Sequence, residues 1–240
     1  MTRFAITPVR KRKLYEEIVE RIEALILDGS LALGEQLPSE REFMTTFQVG
    51  RTAVREALFA LNRMGLISIQ NGERAIVTRP SASALLDELS PSIRHLLQAP
   101  GGVQNFQNAR EMLEVALVRH AAANATANDL AQLAAALERN KSALGDTNAF
   151  IETDVGFHYV LAEISRNPIF TYLHAAMANW LKEQRETALH PPSSRERAFR
   201  AHARICRAVM QHDANGAERG MRLHLKEVSR FYWQANAQRP

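Results

Sequence analysis

The stretch that decides the fold is LPSEREFMTTFQVGRTAVREALFALNRMGLISIQNGERAIVTRP, residues 37–80. Ser39 is a favourable N-cap and two glutamates follow it, which predicts a short helix ending near Phe47. After a turn that closes at Gly50, a second helix is expected to run to about Met64. Its apolar face recurs at helical spacing, in Val54, Ala57, Leu58 and Leu61. The segment therefore predicts two short helices joined by a tight turn.

Two β-branched runs follow the second helix, at residues 66–69 and 75–78, on either side of Asn71-Gly72. This pattern predicts a β-hairpin. Upstream, residues 14–27 carry apolar side chains at helical spacing and predict an amphipathic helix. Three helices followed by a β-ribbon are typical of a winged helix-turn-helix, which places the N-terminal end of its recognition helix in the major groove of DNA.

Basic and polar side chains cluster at the N-terminal end of the second helix, where Arg51, Thr52 and Arg55 share the face opposite the apolar stripe. A solvated basic face on a small α/β module has the same residue types, but the position at the groove-facing end favours DNA. Arginines pair with guanine or grip phosphate, and the sequence does not distinguish these contacts.

The segments LPSERE, VGRTAVREAL and GLI…NGERAIV resemble the DNA-binding domain of the GntR superfamily of bacterial repressors, over roughly the first third of the chain. Gly50 departs from the Ser or Thr common at its position. The resemblance implies DNA contacts from Arg41 before the turn, from Arg51, Thr52 and Arg55 in the recognition helix, and from Asn71 and Gly72 at the wing tip.

Composition places the chain among soluble globular proteins of one large or two ordinary domains, with 240 residues, 46% apolar and 23% charged. The net charge of +4 is shared evenly, because residues 1–80 hold 12 basic and 10 acidic side chains and residues 81–240 hold 18 and 16. The single cysteine, Cys206, excludes an intramolecular disulfide. No apolar run approaches about 18 residues, so we expect a cytoplasmic protein without a membrane span or secretory signal.

The chain divides into four predicted parts, and its fold class is mainly α. Residues 1–12 form a flexible basic tail that is either solvated or makes an extra contact to DNA phosphates. Residues 13–80 form the winged helix-turn-helix and residues 81–102 a helical linker. Residues 103–240 form an all-helical antiparallel bundle, since the connections are short. The predicted bundle helices are 103–124, 127–144, 148–164, 168–188, 194–212 and 214–234.

Four polar side chains interrupt the apolar stripes of the bundle. Asp154 and His158 share one helix face at i, i+4, and His202 and His224 each occupy an inward position on another helix. Any one alone would more often be a core residue bonded to a carbonyl group. Because each buried unpaired polar group costs about 1–3 kcal/mol, the four need partners. A divalent metal bound by three imidazole nitrogens and one carboxylate oxygen satisfies all of them.

The Asp-x3-His, His, His set behind a winged domain resembles the FCD ligand-binding domain of the FadR-type subfamily. The resemblance implies one divalent ion per chain, zinc or alternatively nickel, with Asp154, His158, His202 and His224 as ligands. It also implies that small carboxylates bind to this metal. His174 belongs to a helix that can face the same cavity, and we expect it to lie behind the ligands without binding the metal itself.

Arg110 interrupts the apolar stripe of helix 103–124. A guanidinium there can bind the carboxylate of an effector, pair with a nearby acid or reach solvent. Spacing leaves these alternatives open, and the family resemblance favours the effector. Asn167 and Arg185 are weaker candidates for contacts to effector hydroxyl and carboxylate groups.

The stretches NGERAIVTRPSASALLDELS, APGG and AFIETDVGFHYVLAEISRNPIF resemble the sialic-acid-responsive branch of this subfamily. That resemblance, which spans both predicted domains and the linker, implies N-acetylneuraminate as effector. Periodicity and charge by themselves do not identify this acid.

These features together predict an effector-controlled repressor, not an enzyme, that binds operator DNA as a homodimer. A helical metallohydrolase is the first alternative, but Glu152 and Glu163 lie off the Asp154/His158 face and leave no clear general base. The second alternative is a metal sensor. The third is a regulator that responds to another small hydroxy or sugar acid. The operator, the metal and the choice between repression and activation are left open by the sequence.

Overall fold

The computed structural model describes residues 13–70, 74–79 and 82–237. Backbone contacts divide the chain into two compact units, Met1–Leu85 and Leu86–Pro240. The predicted basic tail, residues 1–12, and the wing-tip positions Asn71 and Gly72 lie outside the described residues.

The first unit has the predicted order of three helices and a β-ribbon. Its elements are α1 (Leu14–Leu27), α2 (Glu40–Phe47), α3 (Arg51–Arg63), β1 (Ile67–Ser68) and β2 (Ile76–Val77). Ser39 and Glu42 form a capping box at the start of α2, where the Ser39 hydroxyl accepts from the Glu42 amide at 3.3 Å and the Glu42 carboxylate accepts from the Ser39 amide at 2.6 Å. Gln48 ends α2 in the left-handed region, with φ 54°. The predicted helix-turn-helix is confirmed.

The strands pair antiparallel in the register Ile67 with Val77 and Ser68 with Ile76. Each is two residues long, shorter than the predicted 66–69 and 75–78. Backbone bonding continues past the strands at one end, where the Thr78 amide donates to the Leu66 carbonyl at 2.8 Å. At the other end the Ile69 amide, which faces away from β2 in this register, donates to Oδ1 of Asn62 at 3.2 Å. On the other side of β2, Gln36 forms an isolated bridge to Ile76.

The core of the first unit lies where α1, α3 and the ribbon meet. The predicted stripe of α3 is buried, which leaves the opposite face of that helix to solvent. The core is made of Ile18, Ile22, Leu37, Phe43, Val54, Ala57, Leu58, Leu61, Leu66, Ile67 and Val77.

The second unit is helical throughout its described residues, as predicted. Its helices are α4 (Ala82–Gln98, which begins before the unit boundary), α5 (Gly102–Asn124), α6 (Ala127–Ser142), α7 (Thr147–Glu163), α8 (Pro168–Trp180), α9 (Lys182–Leu189), α10 (Pro192–Met210) and α11 (Ala214–Asn236). The main core joins α5, α6, α7, α10 and α11, with Val118, Leu133, Phe157, Leu161, Ile205, Val209 and Met221 among its buried side chains.

One helix prediction is wrong, because the segment expected as a single helix over 168–188 is two. The break falls at Leu181, whose backbone has φ −98° and ψ 21° and whose side chain is buried. Beside the break, the guanidinium of Arg185 donates to the carbonyl oxygen of Ala178 at 2.9 Å. A side chain thereby supplies a hydrogen bond to a carbonyl near the helix end, where backbone donors run out.

None of the helices in the described ranges combines the length and the apolar character needed to span a bilayer.

Candidate metal centre and DNA-binding face

Three helices bring four ligating side chains to one point in the core of the helical unit. α7 supplies Asp154 and His158, α10 supplies His202 and α11 supplies His224, and all four are buried. One ligand atom from each lies within 4.8 Å of the others. The Nε2 atom of His224 is 3.2 Å from Nε2 of His158 and 3.2 Å from Nε2 of His202. The structure therefore brings the four predicted residues together, and the Nε2 atoms of the three histidines converge.

The tautomer of His202 is set by Asn140. The Nδ1 atom of His202 lies 2.9 Å from Oδ1 of Asn140. The amide group of Asn140 is oriented because its Nδ2 donates to the Thr153 hydroxyl at 3.1 Å, and that hydroxyl donates to the Ala149 carbonyl at 2.8 Å. The Asn140 oxygen must therefore receive a hydrogen from Nδ1, which leaves the Nε2 lone pair of His202 free.

A carboxylate orients His158 in the same way. One oxygen of Glu114 contacts Nδ1 of His158, and its other oxygen accepts from Nε of Arg110 at 2.6 Å. Burial raises the pKa of Glu114, but the charge of Arg110 and the contact with the His158 ring outweigh it and hold that pKa well below its usual value. An ionised Glu114 accepts the Nδ1 hydrogen of His158 and leaves the Nε2 lone pair free.

These tautomers make the cluster incomplete without a cation. Neutral His224 can donate one Nε2 hydrogen at most, so at least one of its two Nε2 contacts sets lone pair against lone pair. Oδ1 of Asp154 is also buried and accepts no hydrogen bond from any residue in the described ranges. The nearest imidazole nitrogen to this oxygen is Nε2 of His202, at 3.5 Å. A cation among these atoms satisfies them together.

The electrostatics also suit a metal. Burial lowers the pKa of His202 to about 3 and that of His224 well below its usual value, so both imidazoles are neutral near pH 7. Neutral imidazole is the form that binds metal. Three imidazole nitrogens and a carboxylate oxygen are a donor set that zinc and nickel accept. The residues present therefore fit a divalent ion.

Two buried guanidiniums flank the cluster. Nε of Arg185 lies 3.4 Å from Oδ2 of Asp154, and Arg110 is joined to His158 through Glu114. Burial lowers the pKa of Arg185 to about 10, which still leaves it charged near neutral pH. Of the three alternatives for Arg110, the structure shows the ion pair with a nearby acid, Glu114. Both arginines line a void of about 30 Å³ beside the cluster.

Asn167, a weaker effector candidate, and His174, expected behind the metal ligands, differ in their surroundings. Oδ1 of Asn167 accepts from the Ile169 amide at 3.0 Å and caps α8, so this exposed side chain already has a structural role. An effector contact from Asn167 stays a prediction. His174 is buried beside His158, with 6.4 Å between ring centroids. Burial lowers its pKa to about 4, so it is a neutral group behind the ligands.

Glu114 and Asn140 were missed by the sequence argument, although each left a signal. Glu114 follows Arg110 by four residues, so the two opposite charges share one helix face. Asn140 continues the buried stripe of α6 after Leu133 and Ala136. In both cases a polar residue occupies a position on a buried face, which is the same pattern that identified the histidines.

The predicted DNA-binding face of the first unit is exposed to solvent. The predicted contact residues Arg41, Arg51, Thr52 and Arg55 are all exposed. The side chains of Arg51 and Arg55 are 69% and 70% exposed, and each approaches Glu40, at 3.8 and 3.7 Å. Ion pairs this long and this exposed contribute little to stability. Both guanidiniums can therefore leave Glu40 for an anionic partner.

Comparison with known families matches both units. Residues 14–77 match the family model described as bacterial regulatory proteins, gntR family, and residues 106–227 match the FCD domain. Two solved structures share the fold over nearly the whole chain. Streptococcus agalactiae GntR has a TM-score of 0.64 at 23% identity, covering 90% of this chain and 99% of its own. Escherichia coli McbR/YncC has a TM-score of 0.52 at 17% identity, covering 93% and 99%.

Curated relatives are closer in sequence. The HTH-type transcriptional repressor NanR of Klebsiella aerogenes is 45% identical over 232 residues, which covers 95% of this chain and 88% of that protein. The NanR repressor of Escherichia coli K12 is 45% identical over 235 residues, covering 96% and 88%. Matches at this identity over both units mean that the chain belongs to the GntR family of bacterial transcriptional regulators, in its FCD-domain branch, and is a DNA-binding regulator rather than an enzyme.

Proposed function

We propose that this protein is a metal-containing repressor that binds operator DNA as a homodimer and responds to N-acetylneuraminate. The observation that carries the proposal is the buried set of Asp154, His158, His202 and His224, flanked by the guanidiniums of Arg110 and Arg185. Such a concentration of ligating and cationic groups in a helical core suits a small anionic ligand.

The protein residues would act on the ligand in two ways. A divalent ion held by the four ligands supplies positive charge for a carboxylate. Arg110 and Arg185 orient that carboxylate and pair with it, because a guanidinium matches its two oxygens. Asn140 and Glu114 keep the imidazole Nε2 lone pairs directed inward. Asp154, which lies beside Arg185, would share that guanidinium with the ligand.

The DNA-binding part of the proposal rests on the winged unit. Its exposed Arg51, Thr52 and Arg55 lie at the start of α3, where a recognition helix meets base edges. A two-fold dimer would bind two half-sites about one helical turn apart. Identity of 45% to repressors supports repression as the outcome of binding.

The choice of N-acetylneuraminate is supported by three stretches of the chain that resemble sialic-acid-responsive regulators. Two guanidiniums beside a metal site are consistent with an acid, and they do not by themselves select this one. Another small hydroxy or sugar acid is therefore the alternative, and a metal sensor is the second.

The test is an anisotropy titration on an operator fragment selected from random DNA by the purified protein. We expect N-acetylneuraminate to release metal-loaded protein from the fragment and to have no effect after chelation. Release by chelator alone, without acid, would indicate a metal sensor. Release by lactate or another short acid, but not by N-acetylneuraminate, would identify that acid as the effector instead. Retention under all conditions would contradict effector control.

A further inference from the structure

The void beside the metal cluster is too small for a whole effector. Arg110 and Arg185 line it together with Gln107, Gln184 and Tyr232, and its volume is about 30 Å³. A space of this size holds on the order of one water molecule. A carboxylate that meets both guanidiniums must therefore leave the rest of its molecule elsewhere.

A larger cavity adjoins this void within the helical unit. Its volume is about 430 Å³, and it shares Gln184 and Tyr232 with the smaller one. Its other walls include Ser90 and Leu97 of α4 and Trp180 of α8. Cavities of about 300–1,000 Å³ commonly hold small organic ligands. The two spaces therefore form an inner end with guanidiniums and a roomier outer end.

Gln184 lies in the wall that the two cavities share. Its Oε1 atom is buried and has no hydrogen-bond donor among the residues that the structure describes. A buried carbonyl oxygen without a donor is unfavourable. A ligand that brings a hydroxyl or amide hydrogen to this point relieves it. The ligand that suits both ends thus has a carboxylate and, beyond it, a hydrogen-bond donor for Gln184.

We infer that the two cavities are one binding site for a polyhydroxylated acid. Its carboxylate lies between Arg110 and Arg185, and its hydroxyl-bearing body passes Gln184 and packs against α4. Binding moves the Gln184 and Tyr232 side chains apart to join the two spaces. This inference rests on the proposed function and adds where the body of the ligand lies and which helix it contacts. Short hydroxy acids reach only the inner end.

Contact with α4 gives the ligand a route to influence the rest of the chain. α4 (Ala82–Gln98) connects the winged segment to the bundle in sequence. The indole of Trp180 donates to the hydroxyl of Ser90 at 3.1 Å, and both residues line the outer cavity. Pro91, the next residue, lies inside the helix and has no amide hydrogen to donate to the preceding turn. The ligand therefore meets α4 where the helix is easiest to bend.

The test compares the same substitution at two neighbouring positions of α4. Leu97→Trp fills part of the outer cavity, whereas Leu96→Trp changes an exposed residue outside its lining. Calorimetric titration of metal-loaded full-length protein with N-acetylneuraminate is expected to show at least tenfold weaker binding for Leu97→Trp. Leu96→Trp should match the wild type. Both variants should keep metal affinity within twofold, because the metal ligands are untouched.

Equal N-acetylneuraminate affinity in Leu97→Trp and wild type overturns the extended site and leaves the proposed function standing. No binding by wild type overturns both. If Leu97→Trp does not fold, Gln98→Phe fills the same cavity and takes its place. A second measurement uses Trp233→Phe protein, in which Trp180 is the only remaining indole of the two in the chain. N-acetylneuraminate should shift its emission, and an unchanged spectrum under saturating ligand also overturns the inference.

Discussion

Asn140 lies on α6 and His202 on α10, and Oδ1 of the first is 2.9 Å from Nδ1 of the second. This hydrogen bond has no direct part in ligation, yet it decides which nitrogen of His202 keeps its lone pair. Replacing Asn140 with leucine preserves approximate size and removes the acceptor. Loss of such an outer partner commonly weakens metal binding by about 10–100-fold.

We therefore expect Asn140→Leu to weaken divalent metal binding by about 10–100-fold, measured by competition with a chelating dye. Asn128→Leu, an exposed change on the same helix, is the matched control and should bind metal as wild type does. Equal affinity in Asn140→Leu and the control would mean that the tautomer of His202 does not depend on Asn140.

Removing a ligand should remove the ion. Purified protein is expected to carry about one divalent ion per chain, in accord with a single four-residue cluster in the described ranges. His202→Ala should lose it, and elemental analysis gives the stoichiometry. His120→Ala, an exposed histidine, should keep it. Full occupancy in His202→Ala would exclude the cluster as the site.

Chelation should lower the thermal unfolding midpoint of wild type, because a ligand that binds only the native state stabilises it. His202→Ala should respond little to chelator. A midpoint that is the same with and without chelator in wild type would count against a native metal centre.

Arg110 pairs with Glu114 and is the proposed partner of the effector carboxylate, and two substitutions separate these roles. Arg110→Ala leaves the buried Glu114 carboxylate without its 2.6 Å partner, which should destabilise the protein by about 3–5 kcal/mol in denaturant unfolding. Arg110→Lys keeps a charge near Glu114 but loses the planar fork. Operator binding without effector should survive in Arg110→Lys, while N-acetylneuraminate should bind more weakly by about 2–5 kcal/mol.

The result that would contradict this assignment is equal release of wild type and Arg110→Lys from operator DNA by N-acetylneuraminate. Stability of Arg110→Ala within error of wild type would show that Glu114 finds another partner.

Arg51 and Arg55 should matter for DNA and little for folding, since both side chains are largely exposed. Alanine at either position is expected to weaken operator binding by about 1–3 kcal/mol if the lost contact is to a base. If the lost contact is to phosphate, all DNA should bind more weakly and the salt dependence should flatten. Arg139→Ala, an exposed change in the helical unit, controls for net charge. Unchanged operator affinity in both variants would defeat the assignment of α3 as recognition helix.

Gly102 lies at the corner between α4 and α5, and we expect the protein to be destabilised by a side chain at this position. A Cβ atom there would fall 2.0 Å from the carbonyl oxygen of Leu96, so the two helices must shift apart. Gly102→Ala should cost about 1–3 kcal/mol, as overpacking does. Gly145→Ala has open space around the added carbon and serves as control. The comparison of thermal midpoints checks this, and equal midpoints would mean that the corner adapts freely.

Much of the fold follows from short-range patterns in the chain. The capping box joins Ser39 and Glu42, three positions apart, and the stripe of α3 repeats within one helix, so both can be recognised without knowing what packs against them. Asp154 and His158 are likewise four residues apart on one face. The interrupted stripes were enough to predict a buried cluster, because a polar residue on an apolar face needs a partner.

Other features depend on groups far apart in sequence or on competition between bonds. Apolar spacing continues through residues 168–188, so it contains no sign of the break at Leu181, where the Arg185 guanidinium reaches the Ala178 carbonyl. The paired strands are also shorter than the β-branched runs, and the Ile69 amide at their end is bound by Asn62, seven residues earlier on α3. Local propensity is overruled where a side chain offers a backbone group a different partner.

The sequence by itself determined the order of helices and ribbon, the exposed basic face of α3 and the four inward-facing residues of the Asp/His cluster, since these follow from residue spacing within single elements. Only the tertiary structure decided how those residues are oriented. The packing of α5 against α7 sets Glu114 beside His158, and that of α6 near α10 sets Asn140 beside His202. These partners are 44 and 62 positions apart, and no periodicity within a single helix specifies which faces of two helices will meet.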